Sequence, residues 1–334
     1  MKILGIETSC DDTSLGLYDT GSGVLAHLTA NQLIHDKYGG VVPEIASRQH
    51  VRNLLPIYET LLADTGTDPG EIDGIGVSNG PGLVGSLLVG VGFAKALAVG
   101  LDKPLVGVHH IEAHILSNEL EGVPLKSPAL VLVVSGGHTA LYRVEKVGRY
   151  DLLGNTRDDA AGECFDKIAK LLGLGYPGGP FLEAVSREGN PHAVEFPRAM
   201  MTQGNFDFSF SGLKTAVRLH VESPGFDPSQ VTDTAASAQE AIVDALVRKT
   251  LSCARHHNIP HVYLAGGVAA NGVLRARLAE ACAQADMTYH APLLEYCTDN
   301  GAMVAGAASR HLATGRDDRL TLDVFARGAV TSWA

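Results

Sequence analysis

K-I-L-G-I-E-T-S-C-D-D-T-S-L-G-L-Y-D, residues 2–19, is repeated in plan by A-L-V-L-V-V-S-G-G-H-T-A-L-Y-R-V-E, residues 129–145. Each stretch runs from an apolar segment through a turn of small and polar residues into a second apolar segment, which is typical of two strands joined by a tight turn. Both stretches open a unit in which strand patterns alternate with helix patterns, so we predict a duplicated α/β fold. Such turns present backbone N–H groups to phosphate oxygens, and this favours nucleotide binding.

Size and composition restrict the class of protein. A chain of 334 residues predicts about two domains. The first apolar run is too short for a signal peptide, and no uninterrupted apolar window reaches the length of a membrane span, so a cytoplasmic protein without a membrane partner is expected. The five cysteines form no C-x-x-C pair, which argues against a disulfide framework or a cysteine zinc site.

The net charge of −11, from 26 basic and 37 acidic residues, excludes nucleic-acid binding by bulk electrostatics. A nucleic-acid partner would need a local basic patch or a second protein that carries the positive surface. Basic residues do cluster in the sequence, although such clusters also occur on ordinary solvated helix faces. The clusters are Lys167–Lys170, Lys214–Arg218, Arg248–Lys249–Arg255 and Arg275–Arg277.

Two histidines, His110 and His114, stand one helical turn apart in V-H-H-I-E-A-H. Positions i and i+4 share a helix face, so both rings can bind one metal ion. Asp299 in Y-C-T-D-N-G-A-M is the best candidate for a third ligand. A His-His-Asp set with open positions suits an iron-type or zinc-type ion, whereas the alternative is a pair that only fills the core or surface. Glu112 lies two residues from each histidine and is predicted to point to another face, which argues against a metallopeptidase.

Four loops at predicted strand ends and helix starts offer groups that suit a nucleotide, and none of them is a P-loop. Each loop alone is also ordinary turn chemistry, but four of them in two similar halves favour nucleotide binding. The loops are E-T-S-C-D-D-T with Asp11 and Asp12, V-V-S-G-G-H-T with Ser135 and His138, E-C-F-D-K with Asp166 before Y-P-G-G-P, and A-G-G-V-A-A-N with Asn271.

With these motifs together, the chain resembles the universal family of tRNA adenosine threonylcarbamoyltransferases in its bacterial form. The resemblance covers essentially the whole length. Beyond the motifs already quoted, it rests on Y-G-G-V-V-P-E-I-A-S-R-Q-H at 38–50, G-P-G-L-V-G at 80–85, D-D-A-A-G-E-C-F-D-K at 158–167, F-S-F-S-G-L-K-T at 208–215 and C-T-D-N-G-A-M at 297–303.

The resemblance implies the two-lobed fold of actin, heat-shock protein 70, acetate kinase and the sugar kinases. In that fold, two duplicated ribonuclease H-like domains hold a nucleotide in the cleft between the lobes. We expect one lobe to comprise residues 1–106 with about 300–334. The other lobe is expected to comprise 107–299, with a surface excursion near 186–205.

The implied activity is an acyl transfer that forms t6A. The threonylcarbamoyl group passes from threonylcarbamoyl-adenylate to N6 of adenosine 37 in tRNAs that read codons beginning with A. The resemblance also implies a paralogous TsaB-like partner and a small TsaE-like ATPase, and it offers the helix predicted from Leu83 to Val99 as a docking surface for the paralogue. An internal packing role for that helix is the alternative.

The resemblance assigns roles to particular residues. One divalent metal, usually Fe²⁺ with Zn²⁺ or Mg²⁺ as alternatives, would be bound by His110, His114 and Asp299. From the chemistry of the transfer, and not from the resemblance, we expect Asp11 or Asp12 to accept a proton from N6. The adenylate would contact Val133, Val134, Ser135, Gly136, Gly137, His138, Asp166, Gly179, Glu183 and Asn271. Many family members carry Glu at the position of Asp12 and Asp at the position of Glu183.

Two further readings compete with this one. A sugar or acetate kinase of the same fold group would need Mg²⁺-ATP and no histidine pair. A non-catalytic scaffold would hold its nucleotide only as a structural element, and multiple turnovers of substrate would exclude it.

Overall fold

The computed structural model describes residues 1–38, 40–202 and 204–333. Gly39 of the Y-G-G motif and Gln203 of the expected excursion therefore lie outside the described residues. Backbone contacts group the chain into two compact units. Unit 1 comprises Met1–Leu125 with Pro292–Val330, and unit 2 comprises Lys126–Ala291 with the residues from Thr331. Both boundaries differ from those expected at 106/107 and 299/300.

Unit 1 is built on a five-stranded sheet of order β3-β2-β1-β4-β5. β2 is antiparallel to both of its neighbours, β1 and β3, whereas β4 pairs in parallel with β1 and β5 in parallel with β4. Its strands are β1 Lys2–Glu7, β2 Thr13–Asp19, β3 Gly23–Ala30, β4 Gly74–Gly80 and β5 Leu105–His109. Its helices are α1 Pro43–Thr65, α2 Val84–Leu101, α3 His110–Leu116 and α9 Gly301–Ala313.

Glycines allow α9 to lie unusually close to this sheet. Gly16, Gly5 and Gly76 face one another in register on β2, β1 and β4. A methyl group added at Gly5 would overlap the carbonyl oxygen of Gly301, and one added at Gly16 would overlap the backbone of Ala302. This close approach fixes the start of α9, and α3 packs against the same helix. For this reason α3 belongs to unit 1 and not to the second lobe.

Unit 2 repeats the plan of unit 1. Its sheet has the order β10-β9-β6-β7-β8, in which β6 pairs antiparallel with β7 and parallel with β9, as β1 does with β2 and β4. The predicted α/β duplication is therefore confirmed. The strands are β6 Ala129–Val134, β7 Thr139–Lys146, β8 Arg149–Asn155, β9 His261–Ala265 and β10 Thr288–His290. The helices are α4 Ala161–Leu171, α5 Gly178–Ser186, α6 Ser211–Val221, α7 Val231–His256 and α8 Gly272–Gln284.

Helix α2 has an apolar sequence with two different faces. Among the described helices it has the length and mean hydropathy, 1.9, of a membrane span, a property that core helices of soluble proteins share. One face packs on β4 and α1 through Leu87, Val91 and Ala94. The opposite face leaves Leu88 and Val99 more than half exposed.

Candidate functional site

The short helix α3 carries both histidines of the predicted metal site. It begins directly after β5, where the His109 side chain accepts a hydrogen bond from the Ile111 amide (3.2 Å) and caps the helix. All seven residues of α3 are buried. As the spacing predicts, His110 and His114 share a face, and their ring centroids lie 4.6 Å apart.

Asp299, two residues before α9, meets this face of α3. Its Oδ1 lies 3.0 Å from Nε2 of His114 and 3.7 Å from Nε2 of His110. One ligand atom from each of the three residues fits within 4.8 Å of the others. Ligands at about 2.1 Å from a single ion are about 3 to 3.5 Å apart, so these separations suit one metal ion.

Glu7, the last residue of β1, fixes the orientation of His110. Its side chain is fully buried and accepts hydrogen bonds from the Ser78 hydroxyl, the Ser9 amide (2.6 Å) and Nδ1 of His110 (3.0 Å). Burial opposes the charge of Glu7, but His110 and Ser78 outweigh it and the pKa of Glu7 is lowered. A carboxylate on Nδ1 turns Nε2 of His110 toward Asp299, an arrangement found in many metal centres.

The polar groups of this cluster also fit a cation. Burial opposes the charge of His110, but Asp299 and Glu7 outweigh it and raise the pKa of His110 to about 9. Nδ1 of His114 is buried without a hydrogen-bond partner in the described part of the chain. A divalent ion held by His110, His114 and Asp299 would balance the charges of the two carboxylates, so the residues present fit a metal.

Asp12 is the more distinctive of the two candidate proton acceptors. Its carboxylate accepts a hydrogen bond from the Asn31 amide (2.8 Å). Burial, the charge of Asp299 and the charge of Asp11 raise the pKa of Asp12 to about 7. Asp11 lies in the same half-buried turn. Both aspartates thus belong to the unit that carries the histidines. The raised pKa makes Asp12 the candidate proton acceptor.

Glu112 points away from the metal ligands, as its spacing predicted. Its Oε2 accepts a hydrogen bond from Nε2 of His311 on α9 (2.9 Å), and both side chains are buried. Arg316 donates to the other ring nitrogen of His311 (3.2 Å). Glu112 therefore ties α3 to α9, and it is not placed to activate a metal-bound water in a peptidase.

The predicted phosphate loop of unit 2 follows β6. Val133 and Val134 are buried in this strand, so only their backbones can contact a ligand. The Ser135 amide donates to the His138 carbonyl (2.7 Å), and the His138 amide donates to the Ser135 hydroxyl (3.1 Å). Gly136 and Gly137 form the exposed tip, with open space around both. Gly136 and Gly137 are therefore the part of the loop that a ligand could reach.

Two further clusters in unit 2 contain the remaining predicted residues. Asp166 on α4 accepts from the Gly178 amide at the start of α5 (2.7 Å), and Gly179 beside it has open space around its α-carbon. In the second cluster, Asn271 donates to Glu183 (3.2 Å) and to Gln239 of α7 (3.0 Å). The Asn271 oxygen caps α8 by accepting from the Leu274 amide (2.9 Å).

Sequence reasoning missed two contributors to these clusters. Glu7 was quoted in its motif without a role, although a carboxylate that ends an apolar strand is a recognisable signal. Gln239 lies inside the long helix α7, where nothing in the local pattern distinguishes it. Its contact with Asn271 depends on the packing of α7 against α8.

Comparison with known proteins identifies the family. The model of the TsaD family, tRNA N6-adenosine threonylcarbamoyltransferase, matches residues 23–306. The chain belongs to this family. It is similar to the tRNA N6-adenosine threonylcarbamoyltransferases of Desulfitobacterium hafniense, at 53% identity over 92% of this chain and 91% of the relative, and of Paracidovorax citrulli, at 51% identity over 94% and 92%.

Solved structures confirm the fold class that the sequence predicted. HypF of T. kodakarensis matches 96% of this chain with a TM-score of 0.60 at 17% identity, and the match spans about half of that longer protein, 49%. The activator of 2-hydroxyisocaproyl-CoA dehydratase from Clostridium difficile, solved with bound ADPNP, matches 95% of this chain and 98% of its own at a TM-score of 0.53 and 12% identity. At these identities the likeness concerns the fold alone.

Proposed function

We propose that this TsaD-family chain transfers the threonylcarbamoyl group from threonylcarbamoyl-adenylate to N6 of adenosine 37, in tRNAs that read codons beginning with A. The observation that carries the proposal is the cluster of buried His110 and His114 with the partly exposed Asp299, with Asp12 in the same unit. The relatives named above are tRNA N6-adenosine threonylcarbamoyltransferases. Because the substrate is tRNA, we place the reaction in the cytoplasm.

The metal in this proposal is one divalent ion, with Fe²⁺ preferred over Zn²⁺ or Mg²⁺. Two histidines and one carboxylate with open positions are the donor set of many non-haem Fe²⁺ sites. Bound there, the ion would supply positive charge to the adenylate phosphate and so favour the departure of AMP. Glu7 holds the His110 ring, and Glu112 holds α3 against α9.

The residues of unit 2 are proposed to bind the adenylate. The amides of Gly136 and Gly137 would donate to its phosphate, since both are exposed at the tip of the loop. Asp166 and Gly179 would face the ribose. Asn271 already makes three hydrogen bonds within the chain, so its proposed part is to hold Glu183 and the start of α8 beside the base.

The chemical step requires a proton acceptor. The lone pair of N6 is delocalised into the adenine ring, so N6 attacks only an activated carbonyl and loses its proton as it does so. In the proposed step the N6–carbon bond forms, the bond from that carbon to the phosphate oxygen breaks, and AMP leaves with its electron pair. Asp12 takes the proton, because a carboxyl group with a pKa near 7 suits this task at neutral pH.

The test is transfer of labelled threonine into unmodified tRNA by the chain, a TsaB-like partner, a TsaE-like ATPase and an enzyme that makes the adenylate. We expect label in tRNA that disappears with His110→Ala. Asp12→Ala is expected to lose most transfer while adenylate binding survives, and near-normal transfer would remove Asp12 from the mechanism. Unlabelled tRNA with the intact chain and bound adenylate would refute the proposed function.

A TsaB-like paralogue is the proposed partner, and the apolar face of α1 and α2 is its proposed docking surface. On α1, Val51 and Leu55 are 65% and 53% exposed, and on α2 Leu88 and Val99 are 52% and 64% exposed. The two helices pack against each other, and all four side chains lie on unit 1. Glycines on α2, such as Gly92, have open space outside them and would allow a partner helix to approach closely.

A further inference from the structure

Unit 2 carries a concentrated positive surface on a chain of net charge −11. Helices α4 and α6 pack side by side and line a depression of about 310 Å³. Four of the six residues that line it are cations and none is acidic: Lys167 and Lys170 from α4, and Lys214 and Arg218 from α6. We call these four side chains the α4–α6 basic surface.

Ion pairs engage two of the four cations of this surface and leave the other two available. Asp159 binds both Lys167 (3.1 Å) and Lys214 (2.9 Å), and Glu163 binds Lys167 as well. Lys170 and Arg218 are exposed, and among the described residues neither has an ion pair. The ion pairs thus engage Lys167 and Lys214, and Lys170 and Arg218 are the cations at the exposed end of the surface.

The basic surface shares its helix with groups that we propose bind the adenylate. Asp166 directly precedes Lys167 on α4, and the Gly162 amide in the first turn of α4 donates to the Ser135 carbonyl (3.2 Å). From Gly162 to Lys170 the helix rises about 12 Å. The phosphates that flank a base placed at the adenylate would fall within that range.

A second basic pocket, lined by Arg248, Arg255 and His256 near the end of α7, is less suited to this role. Asp244 lies 3.5 Å from Arg248 and offsets part of the charge. Gln239 is the point at which α7 contacts the Asn271 cluster. Along the helix, Arg255 is about 24 Å from Gln239, which is twice the rise of about 12 Å from Gly162 to Lys170 on α4.

We propose that the α4–α6 basic surface binds the sugar-phosphate backbone of the tRNA beside the modified adenosine. Lysine and arginine contacts to phosphate position a nucleic acid without reading its sequence, and a free Lys170 and Arg218 are suited to that task. The proposal rests on the tRNA substrate of the proposed function. It assigns the tRNA contact to two of the four basic clusters in the sequence, Lys167–Lys170 and Lys214–Arg218.

The test compares two double variants in the assembled complex: Lys170→Ala with Arg218→Ala, and as a matched control Arg248→Ala with Arg255→Ala. Unmodified tRNA binding is measured by fluorescence anisotropy across a salt series. We expect the first pair to weaken binding about tenfold near 0.1 M salt and to reduce the slope of log Kd against log salt by about 1 to 2. The control pair is expected to stay within about twofold of the parent.

Three further readouts separate a phosphate contact from damage to the fold. The first pair should keep its adenylate affinity and raise the KM for tRNA more than it lowers kcat. Lys170→Arg with Arg218→Lys, which preserves both charges, should restore binding. Unchanged tRNA affinity in Lys170→Ala with Arg218→Ala would overturn the proposal. An equal loss of tRNA affinity in this pair and in the control pair would also overturn it. A parent complex that binds tRNA but transfers no label would instead refute the proposed function and leave the surface standing.

Discussion

Glu7 shows how a single buried carboxylate can determine a metal site. It accepts three hydrogen bonds, and the one from Nδ1 of His110 sets which ring nitrogen faces Asp299. A charged acceptor on Nδ1 also makes the opposite nitrogen a better ligand. The metal affinity of the chain should therefore depend on a residue that never touches the ion.

Glu7→Gln tests this dependence. The amide keeps the shape of the side chain but loses its negative charge, so we expect metal affinity to fall about 10- to 100-fold. Titration of the metal-free chain with Co²⁺, followed by its visible absorption, measures the change directly. Glu112→Gln is the matched control, since Glu112 is a buried carboxylate that pairs with His311 and not with a metal ligand. Equal losses in both variants would show that Glu7 acts only through the stability of the fold.

Asp12 leads to a prediction about pH. Burial, then Asp299 and Asp11, raise the pKa of Asp12 to about 7. The carboxylate form accepts the proton, and it predominates above that pKa, so transfer should rise with pH and then level off. A cation on Asp299 offsets part of the repulsion, so the midpoint in the metal-loaded enzyme should lie below 7.

Single-turnover transfer at saturating adenylate, measured from about pH 5 to 8, gives this profile. We expect Asp12→Asn to lose the rising limb and to lower the plateau rate about 10²- to 10⁴-fold. If the transfer rate of Asp12→Asn still rises with pH as in the parent, Asp12 is excluded as the proton acceptor. The pH profile of Asp11→Asn then shows whether Asp11 accepts the proton instead.

At the scale of the element, the metal site depends on how closely α9 lies against the sheet. Asp299 is carried by the segment that leads into α9, and His110 and His114 are carried by α3, which packs on the same helix. Gly5 and Gly16 leave no room for a side chain where α9 begins. The position of the third ligand is therefore set by glycines that lie on the strands of the sheet.

Gly16→Ala should disturb stability and metal binding together. The added methyl group overlaps the backbone of Ala302, and relief requires α9 to move, so we expect a loss of about 1–3 kcal/mol in the free energy of unfolding. Metal affinity should fall as Asp299 moves with the helix. Gly92→Ala is the control, because nothing lies within 4 Å of that position and alanine favours a helix by about 0.5–1 kcal/mol. Unchanged metal affinity in a destabilised Gly16→Ala would separate the two effects and contradict the argument.

The elements were largely predictable from the sequence because their signals are local. The apolar runs and small-residue turns at 2–19 and 129–145 predicted the strand pairs, and the histidine spacing predicted a shared helix face. The role of Glu7 was missed, because a carboxylate at the end of an apolar strand signals a site without showing that it contacts His110, 103 positions away. The unit boundary was missed for the same reason, because the packing of α3 on α9 leaves no periodic pattern in either segment.

At the scale of the whole molecule, the acidic net charge and the exposed apolar side chains of α1 and α2 are both consistent with work in an assembly. A chain of net charge −11 offers tRNA one favourable surface on unit 2, so much of the affinity for tRNA should come from partner proteins. Unit 1 meanwhile exposes large apolar side chains on α1 and α2, next to a half-exposed lysine, Lys95. The proposed assembly buries the apolar face and adds the positive charge that the chain lacks.

Leu88→Asp tests this assembly. A charge in the middle of the apolar face should prevent association with the TsaB-like paralogue, because the interface would have to bury a carboxylate among apolar side chains. By size-exclusion chromatography with light scattering we expect the complex to dissociate. Transfer of labelled threonine should fall at least tenfold, while Co²⁺ and adenylate affinities stay within about twofold of the parent. Leu152→Asp is the control, since Leu152 is 43% exposed on β8 of the other unit and should leave the complex intact. An intact, active complex with Leu88→Asp would place the partner on another face, and the exposed side chains of α1 and α2 would then need a different explanation.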